Sequence, residues 1–404
     1  MTTTTEALGP PRTSIGLLGW LKKNLFSTWY NALLTIILAW VIYSVGSQLI
    51  RWAFTAAQWG VITSNLRLFM IGQYPPDQAW RVWLCLVMVS LLIGLSAGTW
   101  GGTVRTLGSG LAVAFIILIV LPFGMSTRLW HIANLAAIMG GFLVALLIGR
   151  RLSHNRSALQ RWVLIAWLVC FVAAMVVLQG WKGNLWLPEV GTNLWGGLLL
   201  TFMLSVVSIV ASFPLGVLLA LGRRSRLPTI KLFSTLYIEV VRGVPLVTIL
   251  YMTQIMLPLF LPGQIRIANV VRAIVGMTLF TAAYLAENVR GGLQAIPYGQ
   301  VEAAQALGLN NALLTLFIVL PQALRLVIPT NVGLFISLFK DTTLVTIVAL
   351  LELLGVGKSV LAQPESLGRQ PEVYAFVAAI FFIFSYAMSY ASYRLEAALG
   401  VGKR

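Results

Sequence analysis

The sequence is poor in charged residues. Asp, Glu, Lys and Arg make up only 10% of the 404 residues, whereas apolar residues make up 59%, and the mean hydropathy is +0.89. A soluble domain needs far more charge on its surface, so this composition excludes an ordinary soluble fold. The chain is predicted to be an integral membrane protein.

Acidic residues are the scarcest of the charged residues. They number 11 against 28 Lys and Arg, which gives a formal net charge of +17. A large positive charge can indicate nucleic acid binding, but here the basic residues lie in short clusters between apolar runs. Cytoplasmic loops of membrane proteins retain Lys and Arg, and this is the simpler cause. We therefore expect no nucleic acid partner.

Cysteine and histidine are also rare, with two of each. Cys85 and Cys170 lie in apolar runs and are interpreted as small core residues rather than as a disulfide or a metal site. His131 and His154 form no ligand pattern. The chain has no Walker-type phosphate loop and no nucleophile elbow. It is therefore expected not to be an enzyme, not to hydrolyse ATP, and to bind no metal or cofactor itself.

Apolar runs of about 20 residues, long enough to cross a bilayer as a helix, occur ten times. They lie near residues 29–50, 81–99, 109–124, 132–149, 162–180, 194–221, 233–258, 270–290, 325–350 and 374–394. The first run follows a polar tail, residues 1–27, and has no cleavage site behind it, so it is predicted to stay as an anchor. The amphipathic segment 59–74 is expected at the membrane interface. The predicted fold class is all-α, with about ten transmembrane helices.

Basic residues orient this topology. With ten spans and a cytoplasmic N-terminus, the cytoplasmic loops receive about twice as many Lys and Arg as the loops on the other side. Both termini are therefore predicted to be cytoplasmic. The same count places the segment 291–324 in the cytoplasm.

A spaced motif occupies this segment. It consists of Glu302, Ala303, Ala304, Gly308, Ile318 and Pro321. Pro297 suits the first turn of a helix, and Gly308 suits the position just past its end. Asn311 is a candidate cap for a second helix, which is expected to break at or near Pro321. The small side chains of the two alanines and the glycine are expected to let another protein approach closely.

The spacing of this motif resembles the EAA loop of permease subunits of ATP-binding-cassette importers. The pattern is Glu-Ala-Ala, three residues, Gly, nine residues, Ile, one residue and Leu-Pro. Four further segments resemble polar amino-acid permeases, namely 237–246, 283–297, 320–325 and 339–344. The likeness covers residues 193–404. The long N-terminal half is similar to that of the extended general L-amino-acid permeases.

The resemblance implies a type I importer permease core of five helices over residues 193–398, which contains the coupling loop 295–321. The core follows a membrane extension of about five helices, residues 28–180, expected to pack around it. The implied function is that of the permease subunit of a binding-protein-dependent amino-acid importer in the bacterial cytoplasmic (inner) membrane. The motif residues would couple ATP hydrolysis to uptake.

The resemblance also implies a set of partners. ATPase subunits would hold ATP and Mg, and an extracytoplasmic solute-binding protein would deliver the amino-acid substrate. A second permease subunit, commonly a different but related chain, would complete the pathway within the lipid bilayer. The N-terminal extension is expected to contact that second permease.

Charged and polar residues inside the predicted spans are candidates for a substrate path. A zwitterionic amino acid needs an acceptor for its ammonium and donors for its carboxylate, whereas a charge at mid-bilayer costs about 2.5–3.5 kcal/mol. The candidates are Glu239, Glu287, Asn331, Asp341 and Thr342. Glu239 and Arg242, like Glu287 and Arg290, are three residues apart and are predicted to pair. The alternative is that these charges are interhelical clamps or reach the membrane interface.

Two other classes of function are open at this point. A secondary transporter driven by an ion gradient would favour inverted repeats with broken helices, and neither is evident in the sequence. A membrane-embedded enzyme would need clustered acids or histidines at one membrane face. Co-purification of an ATPase, and uptake that depends on ATP rather than on a proton or sodium gradient, distinguish an importer from both.

Overall fold

The computed structural model describes residues 16–400 except for residues 103, 107, 109–127, 153–155, 185, 261 and 263–266. The regular elements of this part of the chain are helices, accompanied by three isolated β-bridges. The chain divides into two compact units, Met1–Trp59 and Gly60–Arg404.

The first unit contains α1 (Leu17–Asn24) and α2 (Trp29–Arg51), and α2 continues as a π-helical turn, Trp52–Ala56. Thr28 caps α2, because its hydroxyl accepts a hydrogen bond from the backbone N–H of Asn31 at 3.4 Å. No residue of α2 is buried, although the helix is strongly apolar. A helix that exposes apolar side chains all round is suited to a lipid environment.

The second unit is built from a long series of helices. They are α3 (Gly60–Ser64), α4 (Leu66–Ile71), α5 (Trp80–Trp100), α6 (Arg128–Arg151), α7 (Arg156–Gln179), α8 (Gly197–Arg223), α9 (Pro228–Gly243), α10 (Leu246–Leu259), α11 (Asn269–Gln294), α12 (Tyr298–Ala306), α13 (Asn311–Leu314), α14 (Leu320–Asp341), α15 (Leu353–Leu361) and α16 (Gln370–Leu399). A π-helical turn, Thr315–Val319, joins α13 to α14, and a 3-10 segment, Thr342–Val348, follows α14.

Eight of the ten predicted membrane spans are confirmed as long apolar helices. Eight helical segments of the described chain are long and apolar enough to cross a bilayer, and the bent pair α9–α10 is a ninth candidate. These nine correspond to nine of the ten predicted runs. The tenth, residues 109–124, lies outside the described residues.

The predicted span 233–258 is a broken pair rather than one straight helix. α9 and α10 meet at an angle of 109°. Pro245 explains the break, because proline has no N–H to donate and its ring disfavours helical backbone at the residue before it. Val244 is accordingly extended, with φ −109° and ψ 136°. The expectation of a continuous helix was wrong here.

The break predicted at or near Pro321 is a change of helix type just before the proline, and not an end of the helix at the proline itself. Helical backbone runs from Asn311 to Val348, and Pro321 lies in the first turn of α14. Proline is tolerated at that position because the missing N–H belongs to a first turn. The π-helical turn that precedes α14 takes up the local irregularity instead.

Glycines bring α5 and α6 into backbone contact. A Cβ placed on Gly94 would lie 2.3 Å from a backbone carbonyl oxygen of α6, and a Cβ on Gly98 would lie 2.5 Å from another. The hydroxyl of Ser90 donates to the carbonyl of Ile138 across the same interface, at 2.8 Å. Small residues four positions apart, aided by a hydroxyl, commonly join helices inside a membrane.

The start of α5 is fixed to the end of α7 by a fully buried arginine. The guanidinium of Arg81 donates to the carbonyls of Val177 (3.3 Å) and Pro188 (2.9 Å). The hydroxyl of Tyr74 donates to the carbonyl of Leu178, at 2.8 Å. The last carbonyls of a helix carry partial negative charge, so a cation and a hydroxyl are stabilised there.

The segment expected at the membrane interface packs into the core of the second unit. Phe69 of α4 is fully buried in a cluster with apolar side chains of α15 and α16. Gly72 forms a β-bridge with Trp195, and a Cβ on Gly72 would lie 2.4 Å from the Cα of Gly196. Residues of the N-terminal half therefore complete the packing of the C-terminal half.

The C-terminal half is centred on α11, the most buried of the described spans. A Cβ on Gly216 of α8 would lie 2.9 Å from the carbonyl oxygen of Ala282 in α11. A Cβ on Gly292 of α11 would lie 2.7 Å from that of Ala323 in α14. These close contacts place α11 between α8 and α14, so the loop that follows α11 starts from the middle of the core.

Candidate functional site

The spaced motif folds as a short helix, a tight turn and a second helix. α12 begins directly after Pro297 and ends in a Schellman motif. In that motif the N–H of Leu309 donates to the carbonyl of Ala304 (3.2 Å), and the N–H of Gly308 donates to that of Gln305 (2.9 Å). Gly308 has a φ of +78°. Its backbone conformation favours glycine because residues with a side chain are strained there.

Asn310 caps the second helix, whereas the sequence predicted Asn311 as the cap. The side-chain oxygen of Asn310 accepts a hydrogen bond from the N–H of Leu313, at 2.9 Å. The backbone of Asn310 is extended, with φ −69° and ψ 164°, as a cap requires. The two asparagines have the same side chain. The length of the turn between α12 and α13 therefore determines which of them occupies the cap position.

The small residues of the motif point in different directions. Ala304 is only 3% exposed and lies in an apolar cluster with residues of α8 and α11. Glu302, Ala303 and Gly308 are exposed. Ala304 therefore attaches α12 to its own chain, which corrects the expectation that it faces another protein. Ala303 and Gly308 present the small outward surface.

The end of the motif ties the second helix to the first. Ile318 is partly buried at the edge of the same apolar cluster, and Pro321 is exposed. The side-chain amide of Gln322 donates to the carbonyl of Ile318 at 2.9 Å and reaches the side-chain oxygen of Gln300 in α12 at 3.5 Å. The loop is thus a compact piece held by its own contacts.

Five charged side chains in the last turns of α8, α9 and α11 form what we call the ion-pair cluster. Its members are Arg223, Glu239, Arg242, Glu287 and Arg290. Arg223 bridges the two carboxylates, at 2.7 Å from Glu239 and 3.2 Å from Glu287. Glu287 also pairs with Arg242, at 3.6 Å, and accepts a hydrogen bond from Nε of Arg290, at 3.0 Å. One carboxylate therefore receives three guanidinium groups.

Of the two predicted ion pairs, these contacts confirm one and contradict the other. The pair Glu287–Arg290 within α11 is confirmed. The predicted pair Glu239–Arg242 within α9 was wrong, because Glu239 pairs with Arg223 of α8 and Arg242 with Glu287 of α11. Pairs within one helix contribute only about 0.2–0.5 kcal/mol, so partners on neighbouring helices readily displace them. Both oxygens of Glu287 already accept hydrogen bonds from arginines.

The other substrate-path candidates lie on or next to α14. Asn331 is buried, and its side-chain oxygen accepts a hydrogen bond from the amide of Asn288 in α11, at 3.0 Å. Thr342 is fully buried and donates to a carbonyl of the preceding turn, at 2.7 Å. Asp341 is partly buried at the end of α14. Their place in a substrate path stays a prediction.

Comparisons with known proteins identify the family of this chain. The family described as "Binding-protein-dependent transport system inner membrane component" matches residues 212–398. The inner membrane amino-acid ABC transporter permease protein YhdY of Escherichia coli (strain K12) is 35% identical over 399 residues, which are 95% of this chain and 93% of that protein. The chain belongs to this family. It is a multi-pass inner membrane protein and the permease subunit of an ATP-binding-cassette importer.

Other relatives differ in how much of this permease they match. The glutamate/glutamine/aspartate/asparagine transport system permease protein BztC of Rhodobacter capsulatus is 36% identical over 428 residues, 97% of this chain and 96% of that protein. The probable glutamine ABC transporter permease protein GlnP of Bacillus subtilis (strain 168) is 34% identical over 203 residues, 50% of this chain and 92% of that protein. A permease can therefore have half this length.

Solved structures resemble half of the permease. A chain from the crystal structure of an amino acid ABC transporter with histidines is 27% identical, with a TM-score of 0.45, and the match covers 50% of this permease and 92% of that chain. A chain from the inward-facing MetNI methionine ABC transporter is 22% identical, with a TM-score of 0.40, and the match covers 50% and 91%.

Sequence reasoning missed a buried carboxylate at the end of the permease core opposite the loop. Glu352 caps α15, because its side chain accepts hydrogen bonds from the N–H groups of Leu354 (3.0 Å) and Gly355 (2.8 Å). The hydroxyl of Thr346 donates to the same carboxylate at 2.9 Å. Burial raises the pKa of Glu352, and these three hydrogen bonds oppose the rise. An acidic residue directly before an apolar helix was the available signal.

A crevice of about 190 Å³ lies at that same end of the permease. Gln73 from the segment after α4, Asn193 and Trp195 from the segment before α8, and Ser359 from α15 contribute to its walls. The indole N–H of Trp195 is buried and has no hydrogen-bond partner among the described residues. The two halves of the permease thus build this crevice together.

Proposed function

We propose that this permease imports L-amino acids and that separate partner subunits hydrolyse the ATP that drives import. The observation that carries the proposal is the geometry of the loop. α12 and the turn after it present Glu302, Ala303 and Gly308 outward, and Ala304 anchors α12 in an apolar cluster, where α12 packs chiefly against α13 and the π-helical turn that leads into α14. A helix keeps its backbone hydrogen bonds internal and so moves as a unit. A push on the outer face of α12 is therefore passed to the spans.

The proposed arrangement has the ATPase subunits, with ATP and Mg, against α12 in the cytoplasm. The excess of Lys and Arg in the loops on that side supports this orientation, in which both termini are proposed to be cytoplasmic. A solute-binding protein delivers the amino acid at the other membrane face, and the family description, which names a binding-protein-dependent system, supports this partner. A second, related permease chain shares the pathway. ATP binding shifts the pair between outward- and inward-facing states.

Amino acids are the proposed substrates because the names of full-length relatives describe amino-acid transport. Asn331, Asp341 and Thr342 are proposed to line the path, since they are polar groups on α14 or directly after it, and α14 packs against the central α11. Replacement of Asp341 by Ala is expected to reduce uptake. Unchanged assembly and uptake in that variant would remove Asp341 from the path. Competition among glutamate, glutamine, aspartate, asparagine, arginine and leucine for uptake identifies the preferred side chain.

Ala303→Trp tests the role of the loop. Ala303 is exposed, so the indole leaves the core of the permease intact and obstructs a partner on the outer face of α12. We expect the complex purified through a tag on the permease to contain less ATPase. Uptake of a radiolabelled mixture of L-amino acids should fall close to that of cells without the permease.

The matched control for this test is Ala362→Trp, which enlarges an exposed alanine just after α15, at the opposite end of the core. It should keep the wild-type content of ATPase in the purified complex. Uptake at the wild-type level in Ala303→Trp would contradict the proposal. A second test uses uptake into membrane vesicles. Uptake that persists without ATP and is driven by a proton or sodium gradient would indicate a secondary transporter.

A further inference from the structure

We infer that Glu287 is a positioning residue that links the coupling loop to the broken helix pair α9–α10. The inference rests on the proposed function, because it assigns a route by which movement of α12 reaches the spans. Glu287 is the centre of the ion-pair cluster, and its two oxygens take up three guanidinium groups from three helices. A carboxylate so occupied is a joint between helices rather than a free acceptor for a substrate ammonium.

The first half of the route runs from the loop to Glu287. α11 ends at Gln294, and α12 begins at Tyr298, so only three residues separate them. Glu287 lies two turns before that end and is held within α11 by Arg290. The guanidinium of Arg224, directly after α8, donates to the carbonyl of Leu293 at 3.2 Å. The end of α8 and the last turns of α11 are therefore joined next to the loop.

The second half of the route runs from Glu287 to the helix break. Arg242 is the last residue but one of α9, and Val244 and Pro245 form the extended link to α10. Arg242 makes three contacts with α11. Its guanidinium pairs with Glu287 and lies 5.5 Å from the ring centre of Tyr284. Its backbone carbonyl accepts a hydrogen bond from the hydroxyl of Tyr284, at 3.4 Å. The end of α9 is thereby tied to α11.

The break gives this tie a mechanical consequence. At Pro245 the helical hydrogen-bond ladder is interrupted, so α9 can change its angle to α10 without breaking the hydrogen bonds of either helix. α9 follows α11 through the ion-pair cluster, whereas α10 packs against the opposite half of α11 through Thr253 and Gly276. A displacement of the loop therefore changes the 109° angle at the break rather than bending a continuous helix.

The exposure of the cluster separates this role from a purely structural one. Its side chains are between 22% and 55% exposed, so none of the five is enclosed in the core of the permease. Ion pairs in such surroundings contribute little to stability. Removal of one of them is therefore expected to change the transmission of movement more than the amount of folded permease.

The test compares Glu287→Gln and Arg242→Gln with wild type in the complete complex, purified through a tag on the permease and reconstituted in vesicles. ATP hydrolysis is measured as phosphate release, and uptake is measured with a radiolabelled mixture of L-amino acids. Coupling between sites commonly corresponds to a 5- to 150-fold effect, so uptake per ATP hydrolysed should fall about tenfold in both variants. Arg242→Lys, which keeps the charge but not the planar fork, should recover part of the ratio.

The control is Glu365→Gln, which removes an exposed carboxylate from the segment between α15 and α16 and should keep the wild-type ratio. A wild-type ratio in Glu287→Gln would overturn the inference. If Glu287→Gln does not assemble, Arg242→Gln decides, because Glu287 then keeps two arginines. Failure of both variants to assemble would make the cluster structural and would also overturn it. Absence of ATP-dependent uptake in wild type would instead refute the proposed function.

Discussion

At the scale of single residues, the turn of the coupling loop depends on one backbone conformation. Gly308 has a φ of +78°, and a Cβ built on it meets nothing within 4 Å. Space is therefore available for a side chain, and only the backbone conformation is restrictive. An alanine in that conformation costs about 1–2 kcal/mol. This free-energy cost destabilises the turn that fixes the orientation of α12 relative to α13.

Gly308→Ala should loosen this turn without changing the rest of the permease. A loss of one or two kcal/mol raises the opened fraction about 5- to 30-fold, so proteolytic cleavage within the loop should accelerate by that factor in detergent. Gly299→Ala is the control, since Gly299 lies within α12 with open space around it and without a positive φ. Alanine is the better helix former there, so cleavage should stay equal or slow. Equal acceleration in both variants would contradict the conformational argument.

Asn310 and Asn311 provide a second comparison of adjacent residues. Asn310→Ala removes the hydrogen bond to the N–H of Leu313 and should cost about 1 kcal/mol, so cleavage in the loop should rise about fivefold. Asn311→Ala removes no such cap and should change cleavage little. The same protease assay checks both variants. A larger effect at Asn311 would show that the sequence-based assignment of the cap had been right.

The residue scale also shows where sequence reasoning stops. The motif spacing predicted both the helix of the loop and the need for Gly308, because proline and glycine act through local backbone geometry. The partners of Glu239 and Arg242 could not be predicted, because they lie on α8 and α11, and spacing within α9 carries no information about neighbouring helices. Local chemistry was readable in the sequence, whereas pairing across helices was not.

At the scale of helices, the positions of the described spans followed from apolar length, and the exceptions followed from proline. Pro245 breaks a span, whereas Pro321 does not, although both lie in apolar surroundings. The difference is one of position, because Pro321 falls in a first turn after an irregular π-helical stretch. The sequence shows where proline occurs but not where the helix around it begins.

The contact between α5 and α6 is the most demanding packing in the N-terminal half. Gly94→Ala would place a Cβ 2.3 Å from the carbonyl oxygen of Phe142, which is backbone and cannot rotate away. Overpacking of this kind costs about 1–3 kcal/mol, so the unfolding midpoint of the purified permease in detergent should fall. Gly140→Ala, on α6 with nothing within 4 Å, should keep or raise it. Equal unfolding midpoints for the two variants would mean that α5 and α6 can move apart to accept the added methyl group without loss of stability.

At the scale of the whole molecule, the sequence suggested an extension followed by a core, and the structure interleaves them. The segment 59–74 was expected at the membrane interface because it is amphipathic. Phe69 is instead buried among side chains of α15 and α16, nearly 300 residues later in the chain. A contact between such distant segments leaves no local pattern in a single sequence. The segment 60–74 is therefore part of the folded core of this permease.

Two truncations test this interleaving. A chain that begins at residue 60 keeps all four buried apolar clusters of the described residues, so it should elute as a single species in detergent with a cooperative unfolding transition. A chain that begins at residue 181 loses Ile62 and Phe69 and exposes the apolar faces of α15 and α16. Exposed apolar patches at a protein surface promote aggregation. We expect this shorter chain to aggregate, and a single species with the unfolding midpoint of the longer chain would show that the C-terminal half folds alone.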